Sequence, residues 1–309
     1  MDSKNKNKRF PYNLATALDC AIRDFEVEKD TKKYGYKVKD NIYYNYMSNE
    51  YWESYKKDMP EEHRKQFDNG SGGELKEKKG RWGIYPPKMA SFGSSSRMIY
   101  ELSKDIPGFC FEEQLDTRVG GIANLDGFLK KDDKYIYIEA KRREIYSSTH
   151  ESEEIKEVYL PVYKWVEDKC GKEYFSFTKA EAKEEGIKKV TFYLNNNPVQ
   201  YFDLKQLICH FLGITYDLAK HFINNVDVKF LYLIFNPDKV KGKIAEDYRD
   251  KIMNRYKDVV KFINDNNDTI KNIFQAVLEY QLEIHKFQKP EIRFEFKLVD
   301  QDSYEGELK

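Results

Sequence analysis

The segment 123–141, ANLDGFLKKDDKYIYIEAK, brings two carboxylates and an ammonium to the end of an apolar hairpin. Glu139 and Lys141 stand two apart on a run that alternates as a strand does. Their side chains therefore leave one face, while Ile136, Ile138 and Ala140 leave the other. A turn centred on Asp132 and Asp133 sets Lys131 opposite Lys134 and, counting back along both strands, Asp126 opposite Glu139. Directly opposed Cβ atoms lie about 4.5 to 5.5 Å apart, a span that two carboxylates can close around one hard divalent cation. Without a cation, like charges at that spacing destabilise a hairpin. A metal held by two acids, with an ammonium beside it, suits phosphodiester hydrolysis, which needs an activated water and charge stabilisation on the phosphate. The plainer alternative is a salt-bridged, solvent-facing hairpin edge.

The Glu-x-Lys spacing by itself carries little in so charged a chain, since it recurs at Glu74, Glu77, Glu154, Glu167, Glu181, Glu295 and Glu307. Glu181 follows Thr178 at capping-box spacing and precedes Gly186, which reads as a helix surface. Glu295 falls on a strand, but a long helix precedes it and no aspartate-bearing strand pairs with it. Glu139 alone combines the strand with an opposed acid.

The elements that must position these groups follow from periodicity. Leu14 to Glu28 has apolar residues at helical spacing, and a second helix is expected from Ser94 to Lys104, its start marked by the serine cluster GSSS. The period then becomes two: Phe109 to Leu115, Ala123 to Leu129 and Lys134 to Arg142 read as strands. Residues 145–198 read as a charged, largely helical insertion with a short EYFSF and a strand at KVTFYL. Asp203 to His221 reads as a helix opened by an Asp203–Gln206 capping box, and VDVKFLYLIFNP as a central strand. Helices from Ala245 to Lys286 and a final strand EIRFEFKLV close the chain. Residues 30–90, with their Gly-rich NGSGGEL and the turn-forming GIYPPK, are expected to be mainly long loops. NGSGGEL lacks the Lys-Ser/Thr of a phosphate loop. The division expected is an extension over 1–90, a core over 91–240 interrupted at 145–198, and a C-terminal region over 241–309.

Charge and composition narrow the classes. The chain of 309 residues has 53 basic and 53 acidic side chains, so nucleic acid would have to be met by a local patch and not by a global field. The basic arm with Lys4, Lys6, Lys8 and Arg9 is one candidate patch. Four scattered cysteines lack zinc or disulfide spacing, and no apolar run approaches the roughly 20 residues needed to span a bilayer. These features lead to the expectation of a cytoplasmic protein with reduced thiols and no membrane partner.

Asp126, then Glu139-Ala140-Lys141 on the next apolar strand, with a glutamate-bearing helix upstream, resembles the PD-(D/E)xK nuclease superfamily, which includes many restriction enzymes. The order helix, three strands, helix, strand is similar to that superfamily's αβββαβ core. Leu125 stands where many members have proline. PPKMASFGSSSRMIY and FDLKQLICHFLG are also similar to bacterial type II-like restriction endonucleases. The resemblance implies an α/β, restriction-endonuclease-like fold with a mixed central sheet and helical additions at both ends. It implies Mg²⁺, with Mn²⁺ as a substitute, on Asp126, Glu139 and the Ala140 carbonyl, and Lys141 orienting or deprotonating the attacking water. The activity implied is endonucleolytic cleavage of DNA in a restriction or defence system, by a chain that could act as a homodimer.

The resemblance also calls for a third acid from the upstream helix, for which Glu101 is the choice; its plain reading is an i,i+4 ion pair with Arg97. Glu113, which shares strand parity with Phe109 and Phe111, competes with it. Gln206 and His210, four apart on one helical face, could point to the site, although Gln206 has a capping role and a helical histidine often only packs. Arg97, Arg142, Arg143 and Lys205 could contact phosphates or form a solvated charged face. Two rival readings remain: a nuclease of RNA or single strands, served by the aromatic content, and a non-cleaving binding module of the same fold. An acidic pair that repels phosphate argues against the second rival.

Overall fold

A computed structural model describes residues 13–28, 30–39, 41–70, 73–80, 83–147, 152–182 and 184–308; the basic arm of Lys4 to Arg9 lies outside them. In chain order the elements are α1 (Leu14–Glu26), the hairpin β1 (Tyr34–Val38) and β2 (Asn41–Met47), α2 (Asn49–Asp58), α3 (Glu61–Asn69), and the short pair β3 (Lys78–Gly80) and β4 (Gly83–Tyr85). Then come α4 (Ser95–Ser103), β5 (Cys110–Asp116), β6 (Ile122–Lys131), β7 (Lys134–Lys141), α5 (Glu144–Ser147), β8 (Glu153–Lys156), α6 (Leu160–Cys170), β9 (Phe175–Glu181), β10 (Ile187–Leu194) and β11 (Asn197–Pro198). The chain ends with α7 (Leu204–Lys220), β12 (Val226–Ile234), α8 (Glu246–Asp265), α9 (Asn267–His285), β13 (Ile292–Asp300) and α10 (Tyr304–Glu307).

The protein is α/β, built on a mixed five-stranded sheet in the order β13-β12-β7-β6-β5. β6 runs antiparallel to both β5 and β7, whereas β7, β12 and β13 are parallel. Parallel neighbours need long crossovers. The chain supplies them through the insertion and α7, and then through α8 and α9. β12 lies between two parallel partners and is almost wholly buried, which is why its sequence is a continuous apolar run. Gly213 brings α7 close to the sheet: a Cβ there would stand 2.8 Å from the Cβ atoms of both Ala123 and Leu115. α4 packs on β6 and β7, and α9 on α7 and β13. Among the described residues no helix is long and apolar enough to cross a membrane. Cys20, Cys110, Cys170 and Cys209 are free thiols.

Two sequence expectations need correction. The described residues of 30–90 form β1 to β4 and two helices, with Tyr36, Trp52 and Phe67 buried, so aromatic anchors order what Gly-rich and turn-forming stretches had marked as loop. Within the insertion, Thr178 to Glu181 is strand and not helix. β9 pairs along its length with β10, from Phe175↔Leu194 to Glu181↔Lys188, and Lys188 closes an ion pair on Glu181 at 2.7 Å. A local capping pattern is weak beside a full cross-strand ladder.

The exit of β7 is tied down by buried charge. Arg97 of α4 donates to both oxygens of Glu26 of α1 at 2.7 and 3.1 Å, and Arg142 donates to the same carboxylate at 2.7 Å. Arg143 pairs with Asp19 at 2.9 Å, and Glu144 accepts from the backbone N–H groups of Arg142 and Arg143. Burial alone would raise the Glu26 carboxyl, but Arg97 and Arg142 hold it below its ordinary value. Glu26→Ala strands two nearly buried guanidiniums, so it should destabilise the protein by about 3 to 5 kcal/mol in urea titration at neutral pH. A group with a depressed folded pKa stabilises above its unfolded pKa, about 4.3 for glutamate, and loses that contribution as the pH falls further. The gap between wild type and variant should therefore narrow below about pH 4; a constant gap would show that the loss comes from packing.

Candidate active site

Asp126 and Glu139 come together at the end of the β6–β7 hairpin. The ladder between β6 and β7 runs from Lys131↔Lys134 to Gly127↔Ile138, and one step further lies the Asp126–Glu139 position. There the ladder gives way to a side-chain bond, in which the Ala140 N–H donates to Asp126 Oδ2 at 2.7 Å. Asp132 takes the left-handed conformation, φ 53°, at the turn that fixes this register. The Lys141 ammonium lies 2.6 Å from Glu139 Oε1 and donates at 2.6 Å to Gln206 Oε1. His210 Nε2 is 2.9 Å from Glu139 Oε2 but off the hydrogen-bonding direction, so that oxygen makes no hydrogen bond.

α7 thus aims both of its candidate side chains at the motif. Its capping differs from the sequence expectation: the Asp203 carboxylate accepts from the Gln206 N–H, but the Gln206 side chain goes to Lys141 instead of turning back to the cap. Across β12, Tyr232 stands level with Glu139.

The electrostatics is that of a site one positive charge short. Burial first, and then the carboxylates of Glu139 and Glu112, drive the Asp126 carboxyl well above the usual range, against the pull of Lys141 and the Ala140 N–H. Burial would raise Glu139 too, but Lys141 and His210 bring it down to about 2. Lys141 is correspondingly raised well above its ordinary value: burial opposes the charged form, and the Glu139 carboxylate outweighs it. One cation thus satisfies one acid and leaves the other uncompensated. Mg²⁺ binds through one or two carboxylates and completes its shell with water and phosphate oxygens. Asp126 and Glu139 fit that requirement. Among the described residues no set of three or more His, Cys, Asp or Glu side chains gathers closely enough to ligate one ion.

Glu101 is not part of this group. It accepts from the Tyr55 hydroxyl at 2.6 Å and from Lys104 at 2.8 Å on an exposed stretch of α4, and its helix pair is therefore with Lys104 and not Arg97. Glu113 also falls elsewhere. Glu112 before it adopts φ 55°, which interrupts the alternation of β5: Phe111 packs on Phe67 and Tyr100, whereas burial and then Asp217 of α7 raise the Glu113 carboxyl. The further acid that approaches Asp126, Glu112, is one sequence reasoning passed over. Glu112 stands level with Asp126 in the β5–β6 register, and Ser96 of α4 donates to Glu74 at 3.0 Å and lies 3.5 Å from Glu112. Lys88 reaches Glu74 at 2.5 Å, and its pKa is raised by Glu74, Glu112 and Asp126 against burial. Gly70 accommodates Glu112, since a Cβ there would lie 2.6 Å from Oε2. The signal for Glu112 was its register position; strand parity hid it.

Glu112→Gln should then lower activity by about 10- to 100-fold, the range typical of groups supporting a metal site. Glu101→Ala, an exposed change, should stay within about twofold of wild type. The reverse ranking in a cleavage assay would return Glu101 to the site.

Of the four basic residues expected at phosphates, Arg97 and Arg142 are corrected: both are buried and committed to Glu26. Arg143 and Lys205 are partly exposed beside Asp19 and Glu153. Comparison of the chain with known protein families, curated proteins and solved structures finds no match.

Proposed function

We propose that this protein is a Mg²⁺-dependent endonuclease of the PD-(D/E)xK type that hydrolyses DNA phosphodiester bonds, with a restriction-endonuclease-like core formed by α4, β5 to β7, α7 and β12. The observation that carries the reading is the gathering of three charges at one end of the hairpin: Asp126 accepts from the Ala140 N–H and feels the Glu139 carboxylate, and Lys141 is held 2.6 Å from Glu139. A hairpin edge built only for solvation would not bury this set. Glu139 is 3 % exposed and Lys141 9 %, and Asp126 is kept in an environment that disfavours its charge.

In this reading Asp126, Glu139 and the Ala140 carbonyl hold Mg²⁺, which when bound supplies a more acidic water and charge stabilisation at the phosphate. Lys141 sits on the same face, fixed by Glu139 and Gln206, and offers an ammonium to the phosphate and to the attacking water. His210 lies 2.9 Å from the far oxygen of Glu139 and lowers that carboxyl's pKa. A role in host defence follows from the family resemblance.

The test is incubation of the pure protein with supercoiled plasmid, single-stranded DNA and RNA, with and without Mg²⁺. Nicking or linearisation of plasmid that depends on Mg²⁺ is expected. Cleavage of RNA or single strands alone would move the substrate. Binding without cleavage of any of the three would leave the binding-module reading in the lead.

A further inference from the structure

Beside the candidate centre lies a cavity of about 360 Å³ that none of the groups above needs for hydrolysis. Its inner wall is Gln206 and His210 of α7, the residues that touch Lys141 and Glu139. Its outer wall comes from the insertion, chiefly Tyr159 and Tyr163, whose rings lie 21° from parallel with centroids 6.4 Å apart. Asn124 of β6, whose Oδ1 accepts from Gln114, and Lys205 of α7, 3.3 Å from Glu153, also line it, together with the carboxylates of Glu154 and Asp203, and Ile122, 57 % exposed, stands at its lining.

Three features point to a ligand. His210 is 1 % exposed, yet its Nδ1 has no hydrogen-bond partner, and it forms part of the cavity wall. The Gln206 amide nitrogen makes no hydrogen bond to a described residue, its oxygen being taken by Lys141. The glycine at 121 lets Tyr159 lie where it does, because a Cβ there would be 2.2 Å from the Tyr159 hydroxyl. Aromatic faces, side-chain amides at the edge and a lysine alongside are the chemistry by which proteins hold a base taken out of its stack: rings for the base face, amides for its edge, a cation for the phosphate. The volume lies within the range of small-ligand pockets, which is ample for a single base.

We propose that this cavity receives one unstacked nucleobase of the strand held at the candidate centre, with Tyr159 as the stacking surface, Asn124 and Gln206 facing the base edge and Lys205 at the neighbouring phosphate. The proposal rests on the nuclease reading and assigns a task to the insertion, which closes the cavity over α7. The base can come from a single strand or be rotated out of a duplex; both present the same face and edge.

Photocrosslinking separates the outcomes. The full chain is irradiated in Ca²⁺ with 5-iodouracil-substituted single strands and, separately, with substituted duplexes of mixed sequence, and the attached peptides are mapped by mass spectrometry. Attachment at Tyr159 is expected, from single strands alone or from duplex as well, which identifies the source of the base. Tyr159→Leu should weaken binding of the favoured substrate by about 5- to 150-fold, the value of one stacked base, with unchanged thermal melting. Asn124→Ala serves as a second variant should Tyr159→Leu melt early, and should weaken binding at least severalfold. Cleavage or binding that persists with attachment only outside the cavity, and undiminished affinity in both variants, would overturn the base pocket and leave the nuclease reading standing. A chain that neither binds nor cleaves nucleic acid overturns both.

Discussion

Asp126→Asn should abolish cleavage while leaving the metal-free protein as stable as wild type or more so. The substitution keeps an oxygen to accept the Ala140 N–H at 2.7 Å and removes a charge that burial and two neighbouring carboxylates disfavour. Asp126→Ala should also be inactive but less stable, because a buried N–H loses its acceptor, at about 1 to 3 kcal/mol. Loss of a metal-bearing carboxylate removes several kcal/mol of transition-state stabilisation, about 10³-fold or more in rate. The companion measurement is thermal melting with and without Mg²⁺ or Ca²⁺. A ligand that binds only the folded state raises its melting temperature, so divalent ions should stabilise wild type more than either variant. Equal shifts in all three proteins would remove the metal from this hairpin. Wild-type cleavage by Asp126→Asn would remove the catalytic assignment as well.

Lys141→Ala should lower cleavage by about 10² to 10⁴, the scale expected when a group acting in the transition state is lost. The structure refines what that group does. In the metal-free protein the Glu139 carboxylate outweighs burial and raises the Lys141 pKa, which favours its charged form; in the proposed reaction that ammonium would orient water and offset phosphate charge. Binding of DNA in Ca²⁺ should weaken far less, since one phosphate contact among many contributes modestly. Lys141→Arg should not rescue activity: the side chain is 11 % exposed and pinned between Glu139 and Gln206, and a planar guanidinium cannot occupy the place of a compact ammonium there. Removing the lysine also leaves Glu139 buried beside a lost partner, with a stability cost of about 3 to 5 kcal/mol. Circular dichroism must therefore show a folded variant, and binding in Ca²⁺ reports the same point independently. A folded Lys141→Ala protein that cuts at the wild-type rate would reduce the Glu139-Ala140-Lys141 triplet to a charged strand end.

The two results depend on different parts of one arrangement. Asp126 is the acid that lacks a cation, whereas Glu139 already has Lys141, with His210 against its other oxygen. This asymmetry also explains the role of α7. Gln206 and His210 are held by a helix whose approach to the sheet is set by Gly213, so the same packing that seats the helix fixes its two contacts with β7.

Local pattern sufficed for the hairpin and for the elements around it. Alternation over Lys134 to Lys141, with the turn at Asp132 and Asp133, determined which residues face each other, because a strand has one side-chain period and a tight turn admits one register. The apolar run of β12 and the amphipathic faces of α1, α4 and α7 were equally plain. The fate of charges was decided only by the fold. Arg97 and Arg142 read as surface cations until α1 brings Glu26 across from 71 and 116 residues away, and no local signal encodes such a partner. Glu112 escaped notice because a single left-handed residue breaks the alternation on which parity depends, and Glu74 because it reaches Ser96 from a segment with no period at all. Glu101 held the expected helix but the wrong face, since helical spacing gives the relation between neighbours and not which of them turns toward the sheet. Sequence fixes short-range geometry through backbone sterics and side-chain period; the environment of a buried charge is the sum of groups gathered from the whole chain, and exists only once the chain has folded.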